Sequence, residues 1–478
     1  MNIFDISVTT TSKDYEDNLP IWDLVDDCVA GSKAVKAKGV KYLPMPNPTL
    51  QSEENLLRYE QYKFRALFMN VVGRTLSAMV GVVFSKPPKI EFKDDLNYLL
   101  ENADGNGLGI SQLSRGRVEA VTKKGRDGVL VDYPATDAPL TKADKNTGTV
   151  RPYMIPYRAQ DIIQVRKKKI GAVNKTWLIV LKECIENGEL YKTESDTQYR
   201  VLWLDDNGYY NVAVVGIGVD EKTNKKVATD KGQFLPRDAK GKPFTEIPFQ
   251  FFGSRDNDSD IDEAPLYDLS VVNLSHYQNS ADNEESSFIC GQPSLFVYTE
   301  NDAETLARCN NKKGIQIGAR SANVLSQGDK AEFLQAEPNN LPKANMEQKE
   351  EMMVQLGARL VSPSKQQTAE AARINYGAET SQLSTIVGNV NQGFKQLIKW
   401  CSLYETGNPE PDFEFELNSN FFHETMSAQD ITAWLAAVQQ NRVTNEDFLN
   451  KMKSGGQIAE DREVQDILDE LGKTEPTL

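Results

Sequence analysis

Between Thr368 and Tyr404 the chain carries its strongest periodic signal. Leu383, Ile386, Val387, Val390, Phe394, Leu397, Ile398 and Cys401 recur at spacings of three and four, one continuous apolar face. A helix of that extent is about 55 Å long at 1.5 Å per residue. Gly377, Gly388 and Gly393 are points where it could bend, each costing roughly 1 kcal/mol relative to Ala. With 478 residues in all, two or three packed regions are expected around such a helix.

Upstream the texture changes more than once. A polar opening leads to a short acidic helical piece, Ile21 to Val29, and then to the proline-rich turn Lys41 to Pro48. From Ser52 to about Phe84 the pattern is helical, and Pro87 and Pro88 stop it. Gly128 to Pro134, Trp177 to Leu181, Tyr199 to Leu204 and Tyr209 to Val215 read as strands. Asp205-Asp206-Asn207-Gly208 is a hairpin signal, with Asn-Gly supplying positive φ angles. Glu221 to Lys242 is polar and reads as an exposed loop, so 89–252 is expected to be an antiparallel α+β region. Helix returns at Pro265, a suitable first helical residue, with Leu266, Leu269, Asn273, Tyr277, Ala281 and Phe288 along one stripe. A small mixed stretch follows, strand-like at Ser294 to Tyr298 and at Gly314 to Gly318, and another helix runs from Pro342 to Leu360. Beyond the long helix come two shorter amphipathic ones. Ser427 is a candidate N-cap for the first, and Thr444-Asn445-Glu446-Asp447, close to a capping box, opens the second. The acidic end from Glu460 is expected to fray.

Little of the material for catalysis is present. Two histidines, His276 and His423, read as structural, and five scattered cysteines (Cys28, Cys184, Cys290, Cys309, Cys401) read as reduced thiols without zinc-ligand spacing. There is no phosphate-cradling Gly-x-x-x-x-Gly-Lys-Ser/Thr loop and no Gly-x-Ser-x-Gly. Gly105 to Gly109 is glycine-rich but follows no clear strand, so a plain loop is expected. Asp256, Asp258, Asp260 and Asp262 suggest calcium, but the glycine position holds Ile261 and the closing glutamate position Tyr267. A solvated loop is the simpler reading. Glu284 and Glu285 would point about 100° apart on a helix, a poor catalytic pair. The expectation is therefore no enzyme, no cofactor and no metal. No run is apolar enough to span a bilayer, and residues 1–14 lack a basic start and an apolar core, which argues against export. A formal charge of −15 argues against tight grip on nucleic acid phosphates, though not against DNA sliding past.

From Pro265 to Asp282 (PLYDLSVVNLSHYQNSAD) the chain resembles the portal proteins of tailed bacteriophages, in a branch with few characterised members. The same branch is matched in order by Tyr42-Leu43-Pro44, Asn70 to Thr75, Gly81 to Pro88, Gly128 to Pro134, Arg151-Pro152-Tyr153, Glu246 to Phe249 and Thr368 to Ala371. The resemblance implies an α+β portal-like fold, with a wing, two stem helices flanking a small α/β clip, a long helix and a helical C-terminal crown. It places the N-terminal helical segment and wing at 1–263, stem helix 1 at 264–288 and the clip at 289–340. Stem helix 2 falls at 341–361, the tunnel loop at 362–367, the long wing helix at 368–412, and the crown with its acidic tail at 413–478. Leu269, Tyr277, Asp282 and Glu285 are the stem-helix residues of interest.

By the same resemblance the chain forms a dodecameric ring at the capsid vertex, made in the host cytoplasm and carried in the virion. Its partners would be the terminase large subunit, head–tail adaptor and tail proteins, major capsid and scaffolding proteins, and double-stranded DNA in transient, non-specific contact, with no membrane. Twelve copies at −15 each sum to about −180, and screening confines their repulsion of DNA to about 8 Å. Ser364, Lys365, Gln366 and Gln367 either approach the DNA at the constriction or form an ordinary exposed interhelix loop. The rival readings are another virion structural protein, such as an adaptor or minor capsid component, and an enzyme with an unrecognised site.

Overall fold

The computed structural model describes residues 4–49, 52–93, 95–134, 150–189, 192–219, 226–292, 294–298, 327–357 and 369–473, apart from 329, 336, 338, 420, 422–427, 455 and 459–461. It opens with helix α1, Lys13–Ala30, twice the length expected. The polar opening concealed its first half: Ser12 caps it by accepting from the Tyr15 amide, and Tyr15 and Trp22 are buried. Pro20 inside it removes only one helical donor. After α2, Ser32–Ala37, the stretch expected as one helix is two, α3 (Glu53–Arg65) and α4 (Val71–Val83). Asn70 starts the second by accepting from the Gly73 amide at 2.9 Å.

Strand β1, Lys89–Phe92, is followed by helix α5, Ile110–Lys124, neither of which the pattern had indicated. Gly105 to Gly109 is a loop, where the Asp104 carboxylate accepts from the amides of Asn106 and Leu108. Next comes β2, Arg126–Asp132, the centre of a three-stranded antiparallel sheet between β3 (Tyr153–Arg158) and β9 (Phe249–Gly253). All seven β2 residues are buried, which explains its continuous apolar run.

A second sheet is a five-stranded antiparallel meander: β4 (Ile162–Ile170), β5 (Val173–Glu189), β6 (Lys192–Leu204), β7 (Tyr210–Val219) and β8 (Lys226–Phe234). Alternation divides its side chains between two cores. Ile179, Leu181, Leu202 and Val212 join the main cluster, while Leu178, Val180, Val201, Trp203, Ala213 and Val215 enclose Tyr15 and Trp22 of α1. Strand β8 corrects the expectation of an exposed loop at 221–242. It is a polar edge strand, and charge on an edge strand discourages pairing with other chains. At the β6–β7 turn only Gly208 has positive φ (77°), and the Asp205 carboxylate accepts from the amides of Asn207 and Tyr209.

The β4–β5 hairpin places Lys168 directly opposite Lys175. Like charges in that register are destabilising, by a few tenths of a kcal/mol up to about 1. Lys168→Glu is therefore expected to raise stability by about 0.5 kcal/mol in low salt, an effect that shrinks in high salt, as read by urea titration.

The long helix is α8, Ala369–Glu405, running without a break. All eight residues of its predicted apolar face are buried. Gly393 is not a bend: a Cβ there would lie 2.2 Å from the Phe252 ring, so glycine permits the close approach of β9. Strand β12, Phe413–Glu416, returns to pair with β1. The chain then forms α9 (Ala428–Gln439), α10 (Asn445–Ser454) and α11 (Val464–Lys473). Thr444 and Asp447 make the expected reciprocal cap of α10. The fraying expected beyond Glu460 is corrected by α11, whose Val464 and Ile467 are buried on one helical face. Ser427, the candidate cap of α9, lies outside the described residues.

Candidate assembly site

Helix α6, Tyr267–Cys290, begins two residues after Pro265, through a turn in which the Tyr267 amide donates to Ala264 O. Its apolar stripe carries polar residues that hold the α3–α4 break. Asn273 donates to Met69 O at 2.9 Å, and Ser280 Oγ accepts from the Leu67 amide at 2.9 Å. The broken backbone thus has its partners on α6, and that is why one helical pattern folds as two helices.

The four residues singled out on this helix separate into two environments. Leu269 is buried in the main core. Tyr277 sits in a smaller cluster with Tyr42, Leu43, Tyr59, Tyr62 and Ala281, edge-on to Phe68. Burial pushes its phenol up to about 12. Asp282 accepts from the Tyr62 hydroxyl at 2.6 Å; burial and that hydrogen bond raise the Tyr62 phenol. Glu285 accepts from both Arg58 and Arg65, and the Arg65 guanidinium lies 4.2 Å from the Phe288 ring centre. Three of the four therefore bind α6 to α3 and the turn before it.

The other flank of α6 holds helix α7, Leu341–Gln355, shorter than the expected reach to Leu360. Lys349 donates to Ser275 O and to Asn279, and His276, buried, lies 3.3 Å from Glu350. His276 is thus a structural residue. Beyond the helices the same pairing continues: Gln335 donates to Cys290 O at 2.8 Å. Strands β10 (Ser294–Tyr298) and β11 (Lys330–Leu334) then pair antiparallel, Ser294 with Leu334 and Tyr298 with Lys330. Outgoing α6–β10 and returning β11–α7 are therefore one hairpin in a single register. At 1.5 Å per helical residue and about 3.3 Å per strand residue, α6 is about 36 Å long and β10 about 16 Å.

Expected features at Gly314 to Gly318, Ser364, Lys365, Gln366, Gln367, His423 and Cys309 lie outside the described residues. Two carboxylates of the acidic loop 256–263 are paired from β4, where Lys167 reaches both Asp258 (3.5 Å) and Asp260 (2.7 Å), and Asp262 accepts from the Arg255 amide. A lysine stands among the carboxylates that suggested calcium. Among the described residues, no group of three or more His, Cys, Asp or Glu could hold a metal ion, and no helix is long and apolar enough to cross a membrane.

Arg58, Tyr62, Arg65, Asn279 and Lys349 were not foreseen as partners. The available signal was Asn273 and Ser280 at i and i+7 on a buried stripe, since buried polar side chains need partners. Removing one partner of a half-buried charge cluster leaves the other unsatisfied. Glu285→Ala is expected to cost about 2 kcal/mol, and the Glu285→Ala/Arg65→Ala double variant less than the sum of the singles by about 1 kcal/mol, in urea unfolding.

The described residues thus form an α+β protein with a three-stranded and a five-stranded antiparallel sheet, a β1–β12 ribbon, a helix–ribbon–helix hairpin and a long helix buried along one face. Residues 265–405 match a family described as a domain of unknown function, DUF4055. That stretch runs from Pro265 to the last residue of α8. No curated protein matches the chain. Among solved structures the chain is similar to one described as the neck of an empty GTA particle computed with C6 symmetry. The identity is 12% and the TM-score 0.42, over 81% of this chain and 90% of that one, a remote likeness.

Proposed function

We propose that this chain is the portal protein of a tailed bacteriophage, a structural subunit of the ring through which DNA enters and leaves the capsid, with no enzymatic activity of its own. The observation that carries the proposal is the hairpin of α6, β10, β11 and α7 followed by the 37-residue α8. A stem helix, a clip, a second stem helix and a long helix in that order are what the sequence resemblance calls for. In this reading α6 and α7 are the stem and the β10–β11 ribbon belongs to the clip. Residues 362–367 are the tunnel loop, and α9 to α11 belong to the crown. The two sheets form the wing.

The clip would meet the terminase large subunit during packaging and an adaptor afterwards, with capsid and scaffolding proteins around the wing. DNA would pass a wall of net negative charge and touch it only transiently. The test is genetic. Phage deprived of this chain should assemble shells without DNA, and supplying the chain in trans should restore filled particles; filled, infectious particles lacking the chain would refute the proposal. Deleting Lys365 to Gln367 should leave rings intact and reduce packaged DNA, and normal packaging would remove the tunnel-loop assignment.

A further inference from the structure

Charge is not spread evenly along this chain. Residues 166–176, around the first turn of the five-stranded sheet, carry Arg166, Lys167, Lys168, Lys169 and Lys175 and no Asp or Glu. This segment is +5 in a chain of −15, so the remainder carries −20. Strand β5 pairs with β4 from Val173 to Leu181 but with β6 only from Leu178 onward, and β4 is the edge of the sheet. The stretch from Lys167 to Thr176 is therefore a two-stranded ribbon with both outer edges free of strand pairing. At about 3.3 Å per residue, it extends about 16 Å past the last β5–β6 pair. Directly paired residues share a face, so Lys168 and Lys175 stand on one face and Lys167 and Lys169 on the other. Arg166 to Lys169 are all exposed. Lys167 reaches Asp258 and Asp260, and Lys175 donates to Thr245 O. Among the described residues no carboxylate lies in ion-pair reach of Arg166, Lys168, Lys169 or Lys175.

Charges on an edge strand guard against pairing with other chains, but either sign serves that purpose. Here every charge is positive, and Lys168 opposes Lys175 at a cost in stability that a carboxylate at either position would remove. We infer that this arm is a sequence-blind contact for duplex DNA, made through the phosphates by residues other than the proposed tunnel loop. The major groove is about 12 Å wide, has phosphates along both walls and admits a two-stranded ribbon. Cations on both faces suit such a groove, whereas an acidic peptide laid along the arm would meet only one face. Lysine is a flexible point charge that holds phosphate without reading bases. The reach of the arm is about twice the 8 Å over which charge acts at physiological salt, so its tip escapes the repulsion of the acidic remainder. The net charge that argues against a tight grip on DNA thus describes the chain without this arm. The inference goes beyond the portal reading and does not depend on a ring.

The test is binding of the full-length protein to a fluorescent DNA duplex of mixed sequence, read by anisotropy as salt rises from about 50 to 200 mM. Three or four phosphate contacts predict a fall in affinity of about 50- to 150-fold over that range. Lys168→Glu should weaken binding about tenfold at the low-salt end, and the Lys168→Glu/Lys169→Glu double variant should weaken it further and flatten the salt dependence. The same Lys168→Glu change is expected to raise stability, so weaker binding would not reflect unfolding, and Gln-for-Lys versions provide a milder pair. Lys226→Glu makes an equal change of charge at the opposite end of the sheet and should bind DNA as wild type does. Four results would each overturn the inference: no binding by wild type at low salt, unchanged binding by the double variant, an equal loss in Lys226→Glu, or polyglutamate competing as well as an equal charge of duplex DNA. None of them bears on whether copies of the chain form a ring.

Discussion

Arg200→Met is expected to destabilise the folded chain by about 3–5 kcal/mol, the cost of breaking a buried ion pair from one side. Arg200 donates through Nε to Glu183 at 2.7 Å and through Nη1 to Asp132 at 2.8 Å, with only 14% of its side chain exposed. Tyr157 and Gln198 also donate to Glu183. Asp132 ends β2 and Tyr157 lies on β3, whereas Glu183 and Arg200 lie on β5 and β6, so this cluster ties the two sheets together. Methionine would fill the space but leave two buried carboxylates without their cation.

The expected pH dependence follows from the same cluster. Burial raises the Asp132 carboxyl even with Arg200 beside it. Glu183 is also pushed upward by burial, but Arg200, Tyr157 and Gln198 outweigh that and hold it below the usual range. In the wild type the stability from Glu183 is therefore present above its unfolded pKa and lost as pH falls through the lower folded value. Asp132 acts in the opposite sense: its contribution is present in acid and lost as pH rises through its raised folded value. Without Arg200 both carboxyls rise, the native state holds more protons than the unfolded chain, and the penalty is largest at neutral pH. Urea titrations at several pH values should show the gap between variant and wild type narrowing as pH falls from neutral towards about pH 4, where the unfolded carboxyls take up protons, and narrowing further below that as wild-type Glu183 is protonated. A gap independent of pH would mean that Arg200 acts by packing alone.

Phe394→Ala should cost a comparable amount, about 3–5 kcal/mol, by opening a cavity where α8 meets the rest of the molecule. Its ring is fully buried, stacked on Phe415 of β12 at 5.1 Å and tilted against Phe252 of β9 at 5.8 Å. The neighbouring glycines make a matched pair of probes. Gly393→Ala drives a methyl into the Phe252 ring and should lose about 1–3 kcal/mol by overpacking. At Gly388 a Cβ meets nothing within 4 Å, so Gly388→Ala should gain up to about 1 kcal/mol from helix propensity. Opposite signs at positions five residues apart would show that α8 is docked along one face and open along another; equal signs would contradict that packing.

The parts of the fold most legible in the sequence were those in which one segment buries one face. The α8 stripe from Leu383 to Cys401 needs only its own periodicity, and the β6–β7 hairpin only its turn residues and two β-branched runs. Elements held by distant partners were less visible. Strand β8 is polar because it lies at a sheet edge, and β1 is only four residues long, paired with β12 more than 300 residues away. The α3–α4 break was hidden because its stabilising groups, Asn273 and Ser280, lie on another helix. The same reason limits the candidate site: Tyr277 lies on the apolar stripe of α6, and Asp282 and Glu285 were named with it only by the resemblance, whereas Tyr62, Arg58 and Arg65 become their partners only once α3 is folded against that helix.

The central claim is that many copies of this chain surround an opening that duplex DNA can traverse. Cryo-electron microscopy of the purified full-length protein tests it most directly. The expected result is a closed ring with an axial channel at least as wide as a DNA duplex, and with the α6–α7 hairpins arranged around it. A population of compact monomers or dimers, or an assembly whose axis is filled, would contradict the claim.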